Sequence, residues 1–514
     1  MKKEIVETFR AELKQFDEAT RMFYTGQMLR QKYKGISGSF GSYAERNEKY
    51  GMLRLRMTAG RVTKEQLGFI VDMLKRYELT TVKLTTGETI QLHHLKGRQI
   101  LAIANEALEY NIFCRGGGGD NPRNVIAPPL SGVLPGEMFD VLPYAEAVGE
   151  YLLSILRDIK LPRKLKVGFA NHLQNTAHAT IRDLGFVARE DGTFDVYSAG
   201  GMGPNPRMGI LMASGVSGNE LLYYTRAMVN TFMKYGNYSQ RAKARTRYMP
   251  DALGGEEAYR AAFSEQLEAV KQEGGLDLTV CAQAVTKTGD GSTIEDRRVI
   301  PQKQSGLFAV WYHPLGGMPS AQTLTALYDT IRDMDAVELR LGADNTMYII
   351  HCTAQEAKEV LRVTEDGANT LFETSVCCVG AEICQQGVRD SQRLYRICVE
   401  AARSANIPDG VLPQIHISGC PSSCGTHQVG SIGFRGGVKV IDGKPVPAYT
   451  LYVGGSAELG SERFGESWGA ILEDQIPLFL MDLAKAVTRE CERYDEWIPN
   501  HMKDLRALAQ PYLD

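Results

Sequence analysis

Two pairs of cysteines in the second half of the chain have spacings that suit a metal centre. Cys378 and Cys384 enclose five residues, and Cys420 and Cys424 enclose three. Four thiolates complete one four-iron cluster, because each iron takes one protein sulfur. Structural zinc also takes four cysteines, but it usually binds short Cys-x-x-Cys pairs, and neither pair has that spacing. The pattern favours a four-iron cluster and leaves zinc as the alternative.

The other cysteines need a separate interpretation. Ten cysteines in a chain of 514 residues do not make a disulfide framework, and a reducing compartment favours metal binding or catalysis for those that cluster. Cys377 abuts Cys378, so spacing alone leaves open which of the two is a ligand. Four cysteines are interpreted as inert and buried: Cys281, Cys352, Cys398 and Cys491.

Several basic residues occur where an anion pocket could use them. Arg56 lies in the alternating segment 52–57, and Lys164 and Lys166 share one face of a predicted strand just after Pro162. Without further information, long basic side chains in such positions are most often solvated. A second basic run fits a solvated helix face, a pocket wall or a surface for an acidic donor protein: Arg241, Lys243, Arg245 and Arg247.

The composition excludes several classes of function. The net charge of −3 gives no bulk positive charge for nucleic acid. The N-terminus is charged from the start, unlike a secretory signal, and no stretch of roughly 18 apolar residues could span a membrane. The GGGGD segment at 116–120 lacks the strand–loop–helix context of a dinucleotide-binding motif. We therefore expect a cytoplasmic protein without nucleic-acid, membrane, flavin or nicotinamide binding.

Two segments of the chain repeat the same order of predicted elements. Thr63 maps to Ser320 and Leu67 to Leu324 by one shift (320 − 63 = 257; 324 − 67 = 257). The shared order predicts an internal duplication whose halves could frame one site between them. Each copy has a strand, a capped amphipathic helix and a strand pair, at 52–57, 63–74 and 81–92 in the first and at 307–312, 320–331 and 337–350 in the second. In the first copy Thr63 and Gln66 have the spacing of a capping box, and the strand pair is expected to form a hairpin that turns at Gly87.

Longer motifs make the chain resemble a known family of enzymes. CVGAEIC followed by ISGCPSSCGTHQVGSIGF resembles the sulfite and nitrite reductases that carry sirohaem beside a four-iron cluster. The segments YGMLRLRMTAG, GGDNPRNV, LPRKLKV and SAGGMG also occur in the family's order, so that the resemblance covers about residues 48–436. The duplicated segment matches the family's paired ferredoxin-like halves.

The resemblance implies which residues carry the site. Four cysteines would bind the cluster, and the last would also bridge it to the sirohaem iron: Cys378, Cys384, Cys420 and Cys424. Four basic residues would surround the substrate anion: Arg56, Arg123, Lys164 and Lys166. Further residues would approach the macrocycle: Gln91, Gly200, Gly201 and Gly203, with Arg54, Asn124 and Gln174 as additional candidates. Sirohaem is edged with carboxylates, so its pocket must be rich in cations.

The resemblance also implies an α+β fold: duplicated ferredoxin-like halves with two mixed α/β domains that bind sirohaem and the iron–sulfur cluster, in a pseudo-two-fold arrangement. The expected domains are an N-terminal helical extension (1–45) with a Gly/Ser-rich exit at 35–42, a first ferredoxin-like half (46–112), a sirohaem-binding domain (113–290), a second half (300–365) and an iron–sulfur domain (366–514). An amphipathic helix at about 476–494 is expected to end the chain.

The implied activity is the six-electron reduction of sulfite to sulfide, with electrons from a separate ferredoxin or flavoprotein. Sulfite-reducing members usually have Lys-x-Lys where nitrite-reducing members have Lys-x-Asn, so Lys166 favours sulfite. Reduction of nitrite to ammonia is the close alternative, and a non-catalytic iron–sulfur or zinc partner subunit is the second. The chain departs from the family at Gly87, where many members have arginine, and at Ser422, where asparagine is common.

Overall fold

The structure, a computed structural model, describes residues 2–281 and 284–513. The chain forms two compact units. The first runs to Gly201 and adds Pro206–Tyr312 and Pro319–Glu365. The second comprises Met202–Asn205, His313–Met318 and the segment from Asp366 onward. The cysteine-rich motifs therefore belong to the second unit, and most of the basic motifs belong to the first.

The first unit begins with an extension that packs on its own body. The first helix, α1 (Lys2–Tyr24), lies against the later helix Gly97–Glu106, and Phe16 of α1 stacks on Phe40 with ring centroids 4.8 Å apart. The expected Gly/Ser-rich exit from Gly35 is wrong in part, because 35–37 continue a second helix. The elements up to this point are α1 (Lys2–Tyr24) and α2 (Arg30–Ser37).

The first ferredoxin-like half is a four-stranded antiparallel sheet in the order β1-β2-β5-β4 with helices α3 and α4. Thr63 Oγ1 accepts from the Gln66 N–H at 3.2 Å, and Gln66 Oε1 accepts from the Thr63 N–H at 3.1 Å, so the predicted capping box is confirmed. The elements are β1 (Ser42–Ala44), β2 (Gly51–Arg56), β3 (Arg61–Val62), α3 (Lys64–Arg76), β4 (Val82–Leu84), β5 (Thr89–Leu95) and α4 (Gly97–Glu106).

A five-stranded sheet with helices α5, α6 and α8 on its core side follows. Its order is β10-β9-β8-β7-β6, and β6, β7 and β8 run parallel. The elements are β6 (Pro122–Ile126), α5 (Leu142–Ser154), β7 (Leu165–Ala170), β8 (Leu184–Ala188), β9 (Phe194–Ser198), β10 (Ile210–Val216), α6 (Leu221–Tyr235), α7 (Met249–Leu253) and α8 (Glu256–Glu273).

The second ferredoxin-like half completes the first unit. Its sheet has the order β11-β12-β14-β13-β3. Strand β3 of the first half is therefore an edge strand of this sheet and pairs with β13, with Val62 opposite Leu339. The cap at Ser320, which accepts from the Thr323 N–H, matches the prediction. The elements are β11 (Val299–Pro301), β12 (Phe308–Tyr312), α9 (Ala321–Ile331), β13 (Glu338–Leu341), β14 (Met347–Cys352) and α10 (Ala354–Val363).

The duplication extends beyond the residues that predicted it. Glu88 and Asn345 both have positive φ, 51° and 73°, and are related by the same shift (345 − 88 = 257). His94 and His351 repeat this at 58° and 63° (351 − 94 = 257). Non-glycine residues seldom adopt this conformation, so its recurrence at a constant shift is strong support for two copies of one unit. The predicted duplication is confirmed.

The second unit contains one five-stranded sheet in the order β15-β16-β17-β18-β19, covered by helices that share one core with it. The expected terminal helix at 476–494 is wrong at its end, because Cys491 is extended (φ −139°, ψ 162°) and a second helix begins at Tyr494. The elements are β15 (Val376–Cys377), α11 (Ser391–Ser404), β16 (Ile415–Ser418), β17 (Ile432–Ile441), β18 (Lys444–Val453), β19 (Glu466–Leu472), α12 (Ile476–Glu490) and α13 (Tyr494–Leu513).

None of the helices in the described residues combines the length and the apolarity that crossing a bilayer requires.

Candidate functional site

The sheet of the second unit positions both cysteine pairs. Strands β15 and β16 are parallel neighbours, so their carboxyl ends lie at the same edge, and Cys378 and Gly419 directly follow them. The Cys378 N–H donates to the Ile417 carbonyl at 3.2 Å. The Gly419 carbonyl accepts from the N–H groups of Val388 and Arg389, at 2.9 and 2.8 Å. Two loops that are distant in sequence are thus joined at one edge of the sheet.

The thiols of the two pairs affect one another. Burial raises the pKa of Cys378 to about 12, and Cys424 adds to that rise. Burial also raises the pKa of Cys384, and both Cys424 and Cys420 add to it. In residues 2–281 and 284–513 no three or more His, Cys, Asp or Glu side chains converge as the ligands of a single ion would. Among the described residues, the structure therefore brings Cys424 near Cys378 and Cys384, and Cys420 near Cys384, but it does not gather the four thiols into one ligand set.

The structure distinguishes Cys377 from Cys378, a choice that the spacing alone left open. The side chain of Cys377 is buried in the core, where its Sγ accepts from Gln392 Nε2 at 3.1 Å. The Sγ of Cys378 instead accepts from the Gly419 N–H at 3.2 Å and lies 3.0 Å from the Ser391 hydroxyl. Cys378 is therefore the member of the pair that faces Cys424.

The edge of the sheet fits a bulky inorganic group. A Cβ on Gly419 would lie 2.4 Å from the Arg389 carbonyl oxygen and 3.5 Å from Cys378 Sγ, so only glycine lets these segments meet. The Gly419 N–H also offers a donor to a thiolate, as loops around iron–sulfur clusters do. Four cysteines with such a loop would hold a four-iron cluster.

Arg56 is buried, so the interpretation of a solvated side chain is wrong for it. Its guanidinium is 3% exposed and donates to the carbonyls of Arg115 at 3.2 Å, Pro122 at 3.4 Å and Arg123 at 3.0 Å. Burial, with the nearby charges of Arg123 and Arg115, lowers the pKa of Arg56 to about 9. It remains a cation at neutral pH, held in one orientation by backbone acceptors.

Arg123 and Arg54 are held by the same loop. Arg123 donates to the carbonyls of Gly118 at 2.6 Å and Gly119 at 2.8 Å, and Arg54 donates to that of Gly117. Burial lowers the pKa of Arg123 to about 10, and the charge of Arg54 contributes to this. Three guanidinium groups therefore lie around one glycine-rich loop.

The two lysines lie at the start of the strand next to the one that carries Arg123. Lys164 directly precedes β7 and Lys166 is its second residue, and both are half-buried. Strands β6 and β7 pair in parallel with Pro122 opposite Leu165, which sets Arg123 next to the lysine-bearing end of β7. The Lys166 N–H donates to Asp183 Oδ2 at 2.8 Å.

The polar residues predicted to approach the macrocycle have different surroundings. Gln91 pairs with Arg54 across β2 and β5, and its amide oxygen accepts from Arg54 Nε at 3.1 Å. Asn124 donates to the carbonyls of Met57, Gly87 and Glu88 at 2.7, 3.1 and 3.0 Å, so it ties down the turn at Gly87. Gln174 is exposed, and no contact among the described residues joins it to the arginines.

The glycines at 200–203 leave room for neighbouring groups. A Cβ on Gly200 would lie 2.6 Å from the Arg182 carbonyl oxygen. A Cβ on Gly201 would lie 3.3 Å from Arg247 Nη1 and 3.4 Å from Arg245 Nη2, so this glycine faces two guanidinium groups. Gly203 belongs to the second unit, where its carbonyl accepts from Gln428 Nε2 at 2.6 Å.

The basic run at 241–247 does not form the helix that one interpretation assumed. Arg241 and Lys243 lie in one short turn, where Arg241 is exposed and pairs with Asp120 at 2.9 Å. Arg247 is buried, and Arg245 binds the buried Asp183 at 2.9 Å. The solvated interpretation is therefore wrong for the last two residues of the run, which line the wall beside Gly201.

Sequence reasoning missed three buried cations among the described residues, Lys83, Arg182 and Arg340. Lys83 is 2% exposed and pairs with Gln91, which pairs with Arg54, so the three form a row across β4, β5 and β2. The predicted hairpin contained this signal, because its register sets Lys83 opposite Gln91. Arg182 is also buried, and burial lowers its pKa to about 10. Two expected burials were wrong in the opposite direction, since Cys281 is exposed and Cys491 is only half-buried, whereas Cys352 and Cys398 are buried as expected.

The cation-rich surface of the first unit fits a polyanionic ligand. Among the described residues, Arg56 Nε, Arg182 Nη2 and Arg245 Nε are buried without a hydrogen-bond partner. Burying cationic donors in this way is costly unless negative groups compensate them. The carboxylates of a tetrapyrrole would supply such groups.

Comparison with known families matches two parts of the chain. Residues 118–271 match the family described as the nitrite and sulphite reductase 4Fe-4S domain. Residues 43–110 match the nitrite/sulfite reductase ferredoxin-like half domain.

Similar proteins span most of the chain. The chain is 26% identical over 481 residues to the chloroplastic ferredoxin–nitrite reductase of Arabidopsis thaliana, and the alignment covers 89% of this chain and 80% of the relative. It is 27% identical over 453 residues to the ferredoxin–nitrite reductase of Synechococcus elongatus, covering 84% and 85%. It is 24% identical over 442 residues to sulfite reductase [ferredoxin] 1 of Mycolicibacterium paratuberculosis, covering 83% and 77%.

A solved structure shares the fold. The NirA protein of Mycobacterium tuberculosis aligns with a TM-score of 0.76 at 21% identity, covering 94% of this chain and 95% of NirA. The predicted α+β class with ferredoxin-like halves is confirmed.

Proposed function

We propose that this chain, which belongs to the family of sirohaem-dependent nitrite and sulfite reductases, reduces sulfite to sulfide. Members of this family are oxidoreductases that carry sirohaem and a four-iron cluster, and they reduce nitrite or sulfite. The observation that carries the choice of sulfite is Lys166, which completes Lys-x-Lys with Lys164 at the start of β7.

The proposed anion site consists of Arg56, Arg123, Lys164 and Lys166. Two of these are guanidinium groups that backbone carbonyls hold in place before any substrate arrives. Preorganised positive charge binds a small oxyanion without the cost of reorientation, and it stabilises charge that develops on the oxygens. The lysine ammonium groups can also donate protons to the oxygens that leave as water.

The proposed cluster ligands are Cys378, Cys384, Cys420 and Cys424. The bound sirohaem and cluster would supply redox-active iron, and the electrons would come from a separate donor. The chain contributes the thiolates, the Gly419 N–H that donates to Cys378 Sγ, and positively charged surroundings for the macrocycle. Gln91, Gly200, Gly201, Gly203, Arg54, Asn124 and Gln174 remain predicted macrocycle contacts.

Reduction of nitrite to ammonia is the second candidate. Several similar proteins are named ferredoxin–nitrite reductase, including those of Arabidopsis thaliana and Synechococcus elongatus. The names of these nitrite reductases and of the mycobacterial sulfite reductase include the word ferredoxin. We propose ferredoxin or another small one-electron carrier as the donor.

Steady-state assays with a chemical one-electron donor, reduced methyl viologen, test the choice of substrate. We expect kcat/KM to be higher for sulfite than for nitrite, with sulfide as the product. A higher kcat/KM for nitrite would replace the proposal with its alternative, and reduction of neither anion would reject both.

A further inference from the structure

The four consecutive glycines at 116–119 are not explained by any nucleotide-binding motif. In the structure they form a loop that binds arginine side chains. They lie in a glycine loop, defined here as residues 114–121, whose carbonyls accept from Arg54, Arg56 and Arg123. The orientation of these three guanidinium groups therefore depends on where the backbone of this loop lies.

Residues 38–43, which run into strand β1 of the first half, hold the glycine loop from the other side. The Gly116 N–H donates to the Ser39 carbonyl at 2.7 Å, and the Gly119 N–H donates to the Tyr43 hydroxyl at 2.8 Å. Asn121 Nδ2 reaches the Ser39 hydroxyl at 3.4 Å. Two stretches about 80 residues apart in sequence are thus joined by their backbones and by two side chains.

The contact is too close for any residue except glycine. A Cβ on Gly118 would lie 2.4 Å from the Gly38 carbonyl oxygen and 2.6 Å from the Tyr43 hydroxyl. A Cβ on Gly41 would lie 2.7 Å from the Cys114 carbonyl oxygen, and Gly41 also has a φ of 70°. Glycines on both segments therefore permit one interlocked structure.

The N-terminal helix fixes the start of the same loop. Glu12 of α1 binds Arg115 Nε at 2.7 Å, and the Arg115 guanidinium lies over the Phe40 ring at 5.4 Å from its centroid. Arg115 is the residue whose carbonyl accepts from Arg56. A continuous chain of contacts therefore runs from α1 to the buried guanidinium.

We infer that residues 38–43 form a working part of the anion site, and that Tyr43 is a positioning residue for Arg123 and Arg56. The Tyr43 hydroxyl holds the Gly119 amide, and the carbonyl of the same Gly119 holds Arg123 Nη2 at 2.8 Å. Loss of this one acceptor removes no cation, but it lets the loop that orients Arg123 and Arg56 move, so anion binding weakens. The inference rests on the proposed function, because it assigns a role at the site proposed for sulfite.

Tyr43→Phe removes the hydroxyl and keeps the ring. Tyr259→Phe is the control, because the Tyr259 hydroxyl is likewise hydrogen-bonded, at 2.7 Å from Ser198, and that bond lies outside the glycine loop; Tyr259 is buried, whereas Tyr43 is half-buried. On the holoprotein, hydrogen exchange of the 114–121 peptide and the Kd for sulfite by calorimetry are measured. We expect faster exchange in Tyr43→Phe and about five- to tenfold weaker binding, the effect of one net hydrogen bond. The control should show neither change.

The outcomes separate this inference from the proposed function. Unchanged exchange in Tyr43→Phe, or faster exchange with an unchanged Kd, overturns the positioning role. Equal weakening in Tyr259→Phe also overturns it, because general destabilisation would then explain the effect. If the wild type binds no sulfite, the inference fails. If it binds sulfite without reducing it, only the proposed function fails.

Discussion

Replacing Gly419 with alanine places a methyl group where the structure has no room. Its Cβ would lie 2.4 Å from the Arg389 carbonyl oxygen, whereas real Cβ contacts are not found below 3.0 Å, so the segments must separate by at least 0.6 Å (3.0 − 2.4 = 0.6). That movement strains three hydrogen bonds made by the Gly419 backbone, to Val388, Arg389 and Cys378. Overpacking and weakened hydrogen bonds together should lower the free energy of unfolding by about 2–5 kcal/mol.

The assay for Gly419→Ala combines iron and acid-labile sulfide per chain with thermal unfolding. We expect both the iron content and the Tm to fall, because the displaced segments carry Cys378 and Cys420. Gly437→Ala is the matched control, since no atom lies within 4 Å of the position of its Cβ. Wild-type iron content and a wild-type Tm in Gly419→Ala would refute the close packing of this edge.

Three further predictions concern the first unit. Lys166→Asn should shift the ratio of kcat/KM values about tenfold or more from sulfite towards nitrite, and an unchanged ratio would contradict the role of Lys166 in specificity. Asn124→Ala leaves three carbonyls without their donor. It should lower the free energy of unfolding by about 2–3 kcal/mol in chemical denaturation, and a loss under about 0.5 kcal/mol would refute the anchoring of the turn. Burial raises the pKa of Glu88 well above its usual value, so the folded state keeps a proton that the unfolded state releases. The stability that this proton supplies is present below the pKa of Glu88 in the unfolded state and is lost as the pH rises towards its pKa in the folded state. Glu88→Gln should therefore flatten the dependence of Tm on pH between about pH 5 and 8, and a dependence identical to that of the wild type would contradict the role of Glu88.

The sequence predicts local features of this protein well. The capping box at Thr63 and Gln66 and the hairpin at Gly87 follow from residues within one turn of each other, and both occur. The duplication follows from a constant shift in such local signals. The cysteine pairs are also local, which is why their two loops could be identified without knowing that β15 and β16 are neighbours.

The burial of individual cations could not be predicted in this way. Arg56 is buried because carbonyls 59 to 67 positions away in the chain accept its donors. Arg245 is half-buried because Asp183, 62 positions away, pairs with it. A basic residue in an alternating strand has the same local pattern whether water or a distant loop surrounds it. The choice between Cys377 and Cys378 likewise required the core contact of Cys377 with Gln392.

The central claim is that Cys378, Cys384, Cys420 and Cys424 hold one four-iron cluster beside sirohaem. The most direct measurement is the visible spectrum of the purified protein together with iron and acid-labile sulfide per chain, for the wild type, Cys424→Ser and the control Cys491→Ser. We predict sirohaem absorption and four cluster irons in the wild type and control, and loss of both in Cys424→Ser. A colourless wild type, or one that contains zinc in place of iron, would contradict the claim.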